Sequence, residues 1–61
     1  MAEMRMIEVK TTSTRGPYND FGPAQRAALK AAAEQAGASA WLYHWPLHGE
    51  LRVIPASEWP Q

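Results

Sequence analysis

The sequence contains no cysteine, so neither a disulfide nor a thiolate metal site can hold the chain together. It has one phenylalanine, few large aliphatic residues, and alanine through most of its central segment. Charge of one sign is also missing. Six Lys and Arg balance six Asp and Glu, for a formal net charge of zero at pH 7. A domain that binds nucleic acid mainly by electrostatics is normally clearly basic, so only a locally basic face remains compatible with that role. No apolar run approaches the roughly 18 residues of a membrane span, and the first residues lack the apolar core of a signal peptide. A cytoplasmic protein with no membrane association is the expectation.

What remains is a chain of 61 residues, enough for a single small domain over 1–61. A chain of that size buries only about 60% of the surface its unfolded form exposes. Three Trp, two Tyr, one Phe and three Met must supply most of its core volume. So small a core is commonly supported by self-association, and a homodimer or a tightly bound partner is expected.

The order of elements follows from local signals. Residues 4–11, "MRMIEVKT", are short and rich in strand formers, and read as a strand. Residues 12–20, "TSTRGPYND", combine Gly-Pro and Asn-Asp with small hydroxyl residues and read as a loop. In "FGPAQRAALKAAAEQAG", Gly22 suits an N-cap, Pro23 the first helical position and Gln25 the third. Gly37 suits the left-handed position just past a helix end, so a helix is predicted over residues 23–36. On it Ala28, Leu29, Ala32 and Ala36 form a narrow apolar stripe, and Arg26, Lys30 and Glu34 a polar stripe facing water. "AWLYHWP", residues 40–46, reads as a second strand with Trp41, Tyr43 and Trp45 on one face and Leu42 and His44 on the other. "LHGE" is a turn, "LRVI" over residues 51–54 a third strand in a hairpin with the second, and the tail docks through Trp59. The predicted fold is an α+β, α/β-like β-α-β-β unit: one helix packed on a three-stranded sheet, completed by dimerisation. If the first two strands are parallel neighbours, their crossover through the helix is right-handed.

Within the first strand Glu8 and Lys10 stand on one face, because residues two apart do so in extended chain. The run "IEVK" on a strand, followed by a loop, a helix opening "PAQRAAL" and then "AGASAWLYHW", resembles the second half of a PD-(D/E)xK nuclease domain. The nearest flavours are the VRR-NUC type and the archaeal Holliday junction resolvases. The resemblance spans roughly residues 4–54. It implies that Glu8 and the carbonyl of Val9 are ligands of a divalent metal, usually Mg2+. Lys10 would steady the attacking water or the scissile phosphate, and Gln25 would complete the site. Phosphodiester hydrolysis needs a hard cation with oxygen ligands to make a nucleophile from water, and a nearby ammonium to stabilise the phosphate charge. The upstream Asp of that family has no counterpart before Glu8, so the implied metal site is incomplete. Glu3 and Asp20 are the nearest other acids, and a partner subunit is a further source.

The resemblance therefore implies a small DNA-binding protein of branched or single-stranded DNA, with Mg2+-dependent cleavage if the site is completed. The alternative is an inactive protein-interaction module, such as a phage protein that binds a host factor; the alanine-rich, lysine-poor composition fits a GC-rich genome. A third reading is a separately expressed C-terminal half of a larger nuclease. Plainer roles exist for every candidate. Glu8 and Lys10 can be a surface ion pair, contributing about 0–1 kcal/mol. Gln25 can be an ordinary helix-start residue. His44 and His48 lack a third ligand for zinc. Trp41, Tyr43 and Trp45 can stack on single-stranded nucleic acid, pack against the helix or form a dimer face. Arg15, Arg26, Lys30 and Arg52 can contact phosphate or remain solvated charges.

Overall fold

The computed structural model describes residues 2–12 and 16–60. Strand β1 (Arg5–Thr12) leads through a short 3-10 turn (Pro17–Asn19) to helix α1 (Pro23–Ala36), then to strands β2 (Ser39–Pro46) and β3 (Arg52–Pro55), and a second 3-10 turn (Ala56–Glu58). This is the expected β-α-β-β order, with the helix ends as predicted and the strand bounds within one residue of expectation. The expected loop over residues 12–20 is shorter, since Thr12 still belongs to β1; Ser13, Thr14 and the candidate phosphate contact Arg15 lie outside the described residues.

The helix ends are set by backbone chemistry rather than by capping side chains. Gly22 is extended at the N-cap, with no side-chain cap, and its carbonyl accepts the Arg26 amide at 2.9 Å. Gly37 takes the left-handed conformation at φ 69°. Its N–H reaches the Glu34 carbonyl at 3.2 Å, and Ala38 N–H reaches Ala33 at 2.8 Å, so the last turn's carbonyls are satisfied in a Schellman motif. Any side chain at position 37 would carry the cost of left-handed backbone, roughly 1–2 kcal/mol.

Strand β2 is the centre of the sheet. It pairs parallel with β1 and antiparallel with β3, in the order β1-β2-β3. The register sets Met6 beside Ala40, Glu8 beside Leu42 and Lys10 beside His44. On the other side of β2, Leu42 pairs with Ile54 and His44 with Arg52. Ala40, Leu42 and His44 are buried while Trp45 is exposed, so the even-numbered residues of β2 face the core.

The core consists of Phe21, Ala33, Ala40, Leu42, Ile54 and Trp59, with Met6, Tyr18, Leu29, Ala38 and Ala56 partly buried against it. Trp59 meets Phe21 edge to face, ring centroids 4.9 Å apart at 84°. Its indole N–H donates to the Ile54 carbonyl at 3.1 Å. The tail therefore docks through Trp59 as expected, and supplies one of the largest side chains in the core.

Two expectations about α1 are corrected. Its buried residues are Arg26 and Ala33, with Leu29 between them half-buried, whereas Ala28 and Ala36 are exposed. Alanine surrounds this helix at nearly every angle, so composition alone could not choose the packed stripe. Arg26 is not a solvated charge. Its guanidinium donates to the Phe21 carbonyl at 2.6 Å and lies 5.4 Å from the Tyr18 ring centroid. The carbonyl just before the helix thus finds its donor within the core.

Candidate functional site

Glu8 and Lys10 lie on β1, whose extended geometry turns both to the same side as Met6, the side that carries the helix. Both are half-buried. They do not pair with each other: among the described residues the ion pair is between Arg5 and Glu3. Val9 projects to the opposite side and is 57% exposed. Gln25 occupies the third position of α1 and is exposed. Lys10, His44 and Arg52 form a register row across all three strands, in which His44 is buried and Arg52 exposed. His48 sits in the hairpin turn.

No group of three or more His, Asp or Glu among the described residues could hold a metal ion. For Mg2+, which demands an octahedron of oxygens, a Glu8 carboxylate and a Val9 carbonyl would leave about four positions to water. These residues alone are a poor fit to the ion.

The opposite face of the sheet is differently built. Arg5, Ile7, Val9 and Thr11 of β1 stand beside Trp41, Tyr43 and Trp45 of β2, with Val53 of β3 paired to Tyr43. Among the described residues no helix covers them. Ile7, Val9, Trp45 and Val53 are between 42% and 57% exposed, and Leu47 and Leu51 at the hairpin are exposed as well. This settles one alternative left open by the sequence: the aromatic residues of β2 do not pack against α1. Of the sheet's own residues, Ala40, Leu42 and Ile54 face the helix side, and the broad rings of β2 take the other.

One end of the open face is fixed by a closed polar network. The Arg5 guanidinium carbon lies over the Trp41 ring, 3.7 Å from its centroid, a cation–π geometry. It donates to the Tyr43 hydroxyl at 3.0 Å and, through Nε, to the Glu3 carboxylate at 3.1 Å. Ser39 Oγ donates to the other Glu3 oxygen at 2.8 Å and accepts the Trp41 indole N–H at 2.8 Å. The Ser39 hydroxyl, then Arg5, lower the Glu3 pKa, opposed by slight desolvation. The hydrogen bond to Tyr43, then the one to Glu3, raise that of Arg5. Both groups are therefore held in their charged forms. Sequence reasoning did not find this network. The alternation that put Trp41 and Tyr43 on one face was legible, but placing Arg5 beside them required the parallel register that sets Arg5 opposite Ser39.

Comparison with known proteins finds no matching family model, curated protein or solved structure. The functional reading therefore rests on the geometry of the two faces. Among the described residues, no helix is long and apolar enough to cross a membrane.

Proposed function

We propose that this chain is a non-catalytic protein-interaction module whose working surface is the open face of its sheet. The observation that carries the reading is the Arg5–Trp41–Tyr43 cluster, hydrogen-bonded to Glu3 and Ser39 beside an apolar field of Ile7, Val9, Trp45 and Val53. Trp, Tyr and Arg are the residues on which protein interfaces most depend, and pre-ordered side chains lose less entropy on binding. The same aromatics suit a nucleic acid less well. Arg5 is the only cation among these face residues, and Glu3 already neutralises it, so the face offers phosphates no free positive charge. Lys10 and Arg52 belong to the helix side of the sheet.

The test is affinity capture from the native host with three forms of the chain: wild type, Val53→Glu on the open face, and Ala28→Glu on the exposed side of the helix. A specific protein retained by wild type and Ala28→Glu but lost by Val53→Glu is the expected result. Equal retention by all three would overturn the reading.

A second reading, a PD-(D/E)xK-like DNA-binding protein, is supported by Glu8 and Lys10 sharing one side of a strand that runs parallel to β2 and leads into α1. It is tested with junction, flap and linear DNA, with and without Mg2+ or Mn2+. Cleavage that Glu8→Ala and Lys10→Ala both abolish would support it. No shift of any of these DNAs at low salt, or cleavage indifferent to both changes, would remove it.

A further inference from the structure

We infer that the open sheet face is occupied by a second copy of this chain, the two sheets packing face to face into an α-β-β-α sandwich. The inference rests on the reading of that face as an interaction surface and names its partner.

The first argument is area. The chain exposes 4447 Å², whereas a compact monomer of 6.8 kDa exposes about 4000 Å² by the usual size scaling. Its Cα atoms fill a slab of 35 × 26 × 15 Å, and the described residues form a layer on one side of the sheet and none on the other. Exposed apolar residues extend past the strands to Leu47 and Leu51 in the hairpin. Sheets pack at about 10 Å with their inner side chains interdigitating, and Trp45 and Val9, each more than half exposed, stand out far enough to interlock.

The second argument is charge. A two-fold interface sets one patch against itself, so a patch of one net sign faces the same sign across the axis. Here Ile7, Val9, Trp41, Tyr43, Trp45 and Val53 carry none. The cation at the rim, Arg5, is matched within the same protomer by Glu3 at 3.1 Å. The face is thus self-compatible, and its polar end lies where interfaces are ordinarily polar, at the edge.

The experiment is analytical ultracentrifugation from about 1 µM to several hundred µM, in a range of concentrations that spans typical weak dimers. It is combined with 19F NMR of 5-fluorotryptophan-labelled chain, resonances assigned by Trp→Phe variants. The expected result is a concentration-dependent dimer in which the Trp45 resonance shifts and that of Trp59, already buried, stays fixed. Val9→Glu should weaken the dimer by more than about tenfold, since the buried charge enters twice in a two-fold interface. Ala28→Glu should leave it unchanged. Trp45→Phe, which keeps an apolar ring, serves if Val9→Glu perturbs folding, and should weaken association by a smaller factor. A chain that stays monomeric throughout, or a dimer in which Trp45 does not respond, would overturn the inference. If the chain is monomeric but Val53→Glu still abolishes capture of another protein, the interaction reading stands without the homodimer.

Discussion

The two faces of the sheet are made by alternate residues of the same strands, yet they are organised on opposite principles. The covered face places small and medium side chains, Ala40, Leu42 and Ile54, beneath α1 and closes the gap with Phe21 and Trp59 from outside the sheet. Its polar needs are met internally, by Arg26 on the Phe21 carbonyl and by the Trp59 indole on Ile54. The open face carries two of the three tryptophans and satisfies its polar atoms at the surface, through Glu3, Arg5 and Ser39. In a chain with so little apolar volume, Trp45 stands exposed and Trp41 and Tyr43 are only half-buried by the fold. That distribution is the ground of the proposal that the second face serves binding rather than stability.

The comparison can be broken first at Trp59. Trp59→Ala removes the ring that fills the core beside Phe21, and losses of about 3–5 kcal/mol are usual for such truncations. That is a large share of the stability of a domain this small. The variant should be largely unfolded at 37 °C by circular dichroism, and a cooperative transition near that of wild type would show that the tail is not part of the core.

Arg26 comes next. Arg26→Met keeps much of the side chain's length but leaves the Phe21 carbonyl without its donor, and should cost about 1–3 kcal/mol in urea denaturation. A neutral outcome would return Arg26 to the solvated role that the helical pattern suggested.

Changes on the open face should act on a different readout. Trp45→Phe or Val53→Thr should alter monomer stability by less than about 0.5 kcal/mol, measured at low micromolar concentration, while weakening association. A loss comparable to Trp59→Ala would erase the distinction between the faces.

The smallest effect concerns Glu3. Its pKa is lowered in the folded chain by Ser39 and then Arg5. Its stabilising contribution is therefore present above the ordinary glutamate pKa and is lost as pH falls through the lowered folded value. Because the group is exposed the effect on stability is slight, and the better monitor is the Trp41 indole. The 15N–1H chemical shift of Trp41 should titrate in this acidic window in wild type and not in Glu3→Gln.

Much of the architecture was legible because it depends on local chemistry. Gly22-Pro23 and Gly37 mark both ends of α1, and the alternation in "AWLYHWP" separates Leu42 and His44 from the three aromatics. The direction that the aromatic face takes was not legible. Large rings are ordinarily core residues, and nothing near them in sequence reveals that Phe21 and Trp59 fill the space under the helix instead. Arg26 was misread for a related reason. Its spacing with Lys30 and Glu34 describes a solvent stripe, and only the fold of the preceding loop brings the Phe21 carbonyl within its reach. The shared side of Glu8 and Lys10 followed directly from strand geometry. The Glu3–Ser39 contact, 36 residues apart in the chain, depends on the pairing of β1 with β2 and has no local signature.

Hydrogen exchange of the three indole N–H groups, followed by NMR in dilute solution, tests the contrast between the faces most directly. Trp59 should exchange slowest by far, Trp41 should show modest protection from Ser39, and Trp45 should exchange as an exposed side chain does. Strong protection of Trp45 in the monomer, or free exchange of Trp59, would contradict the assignment of one face to the core and the other to binding.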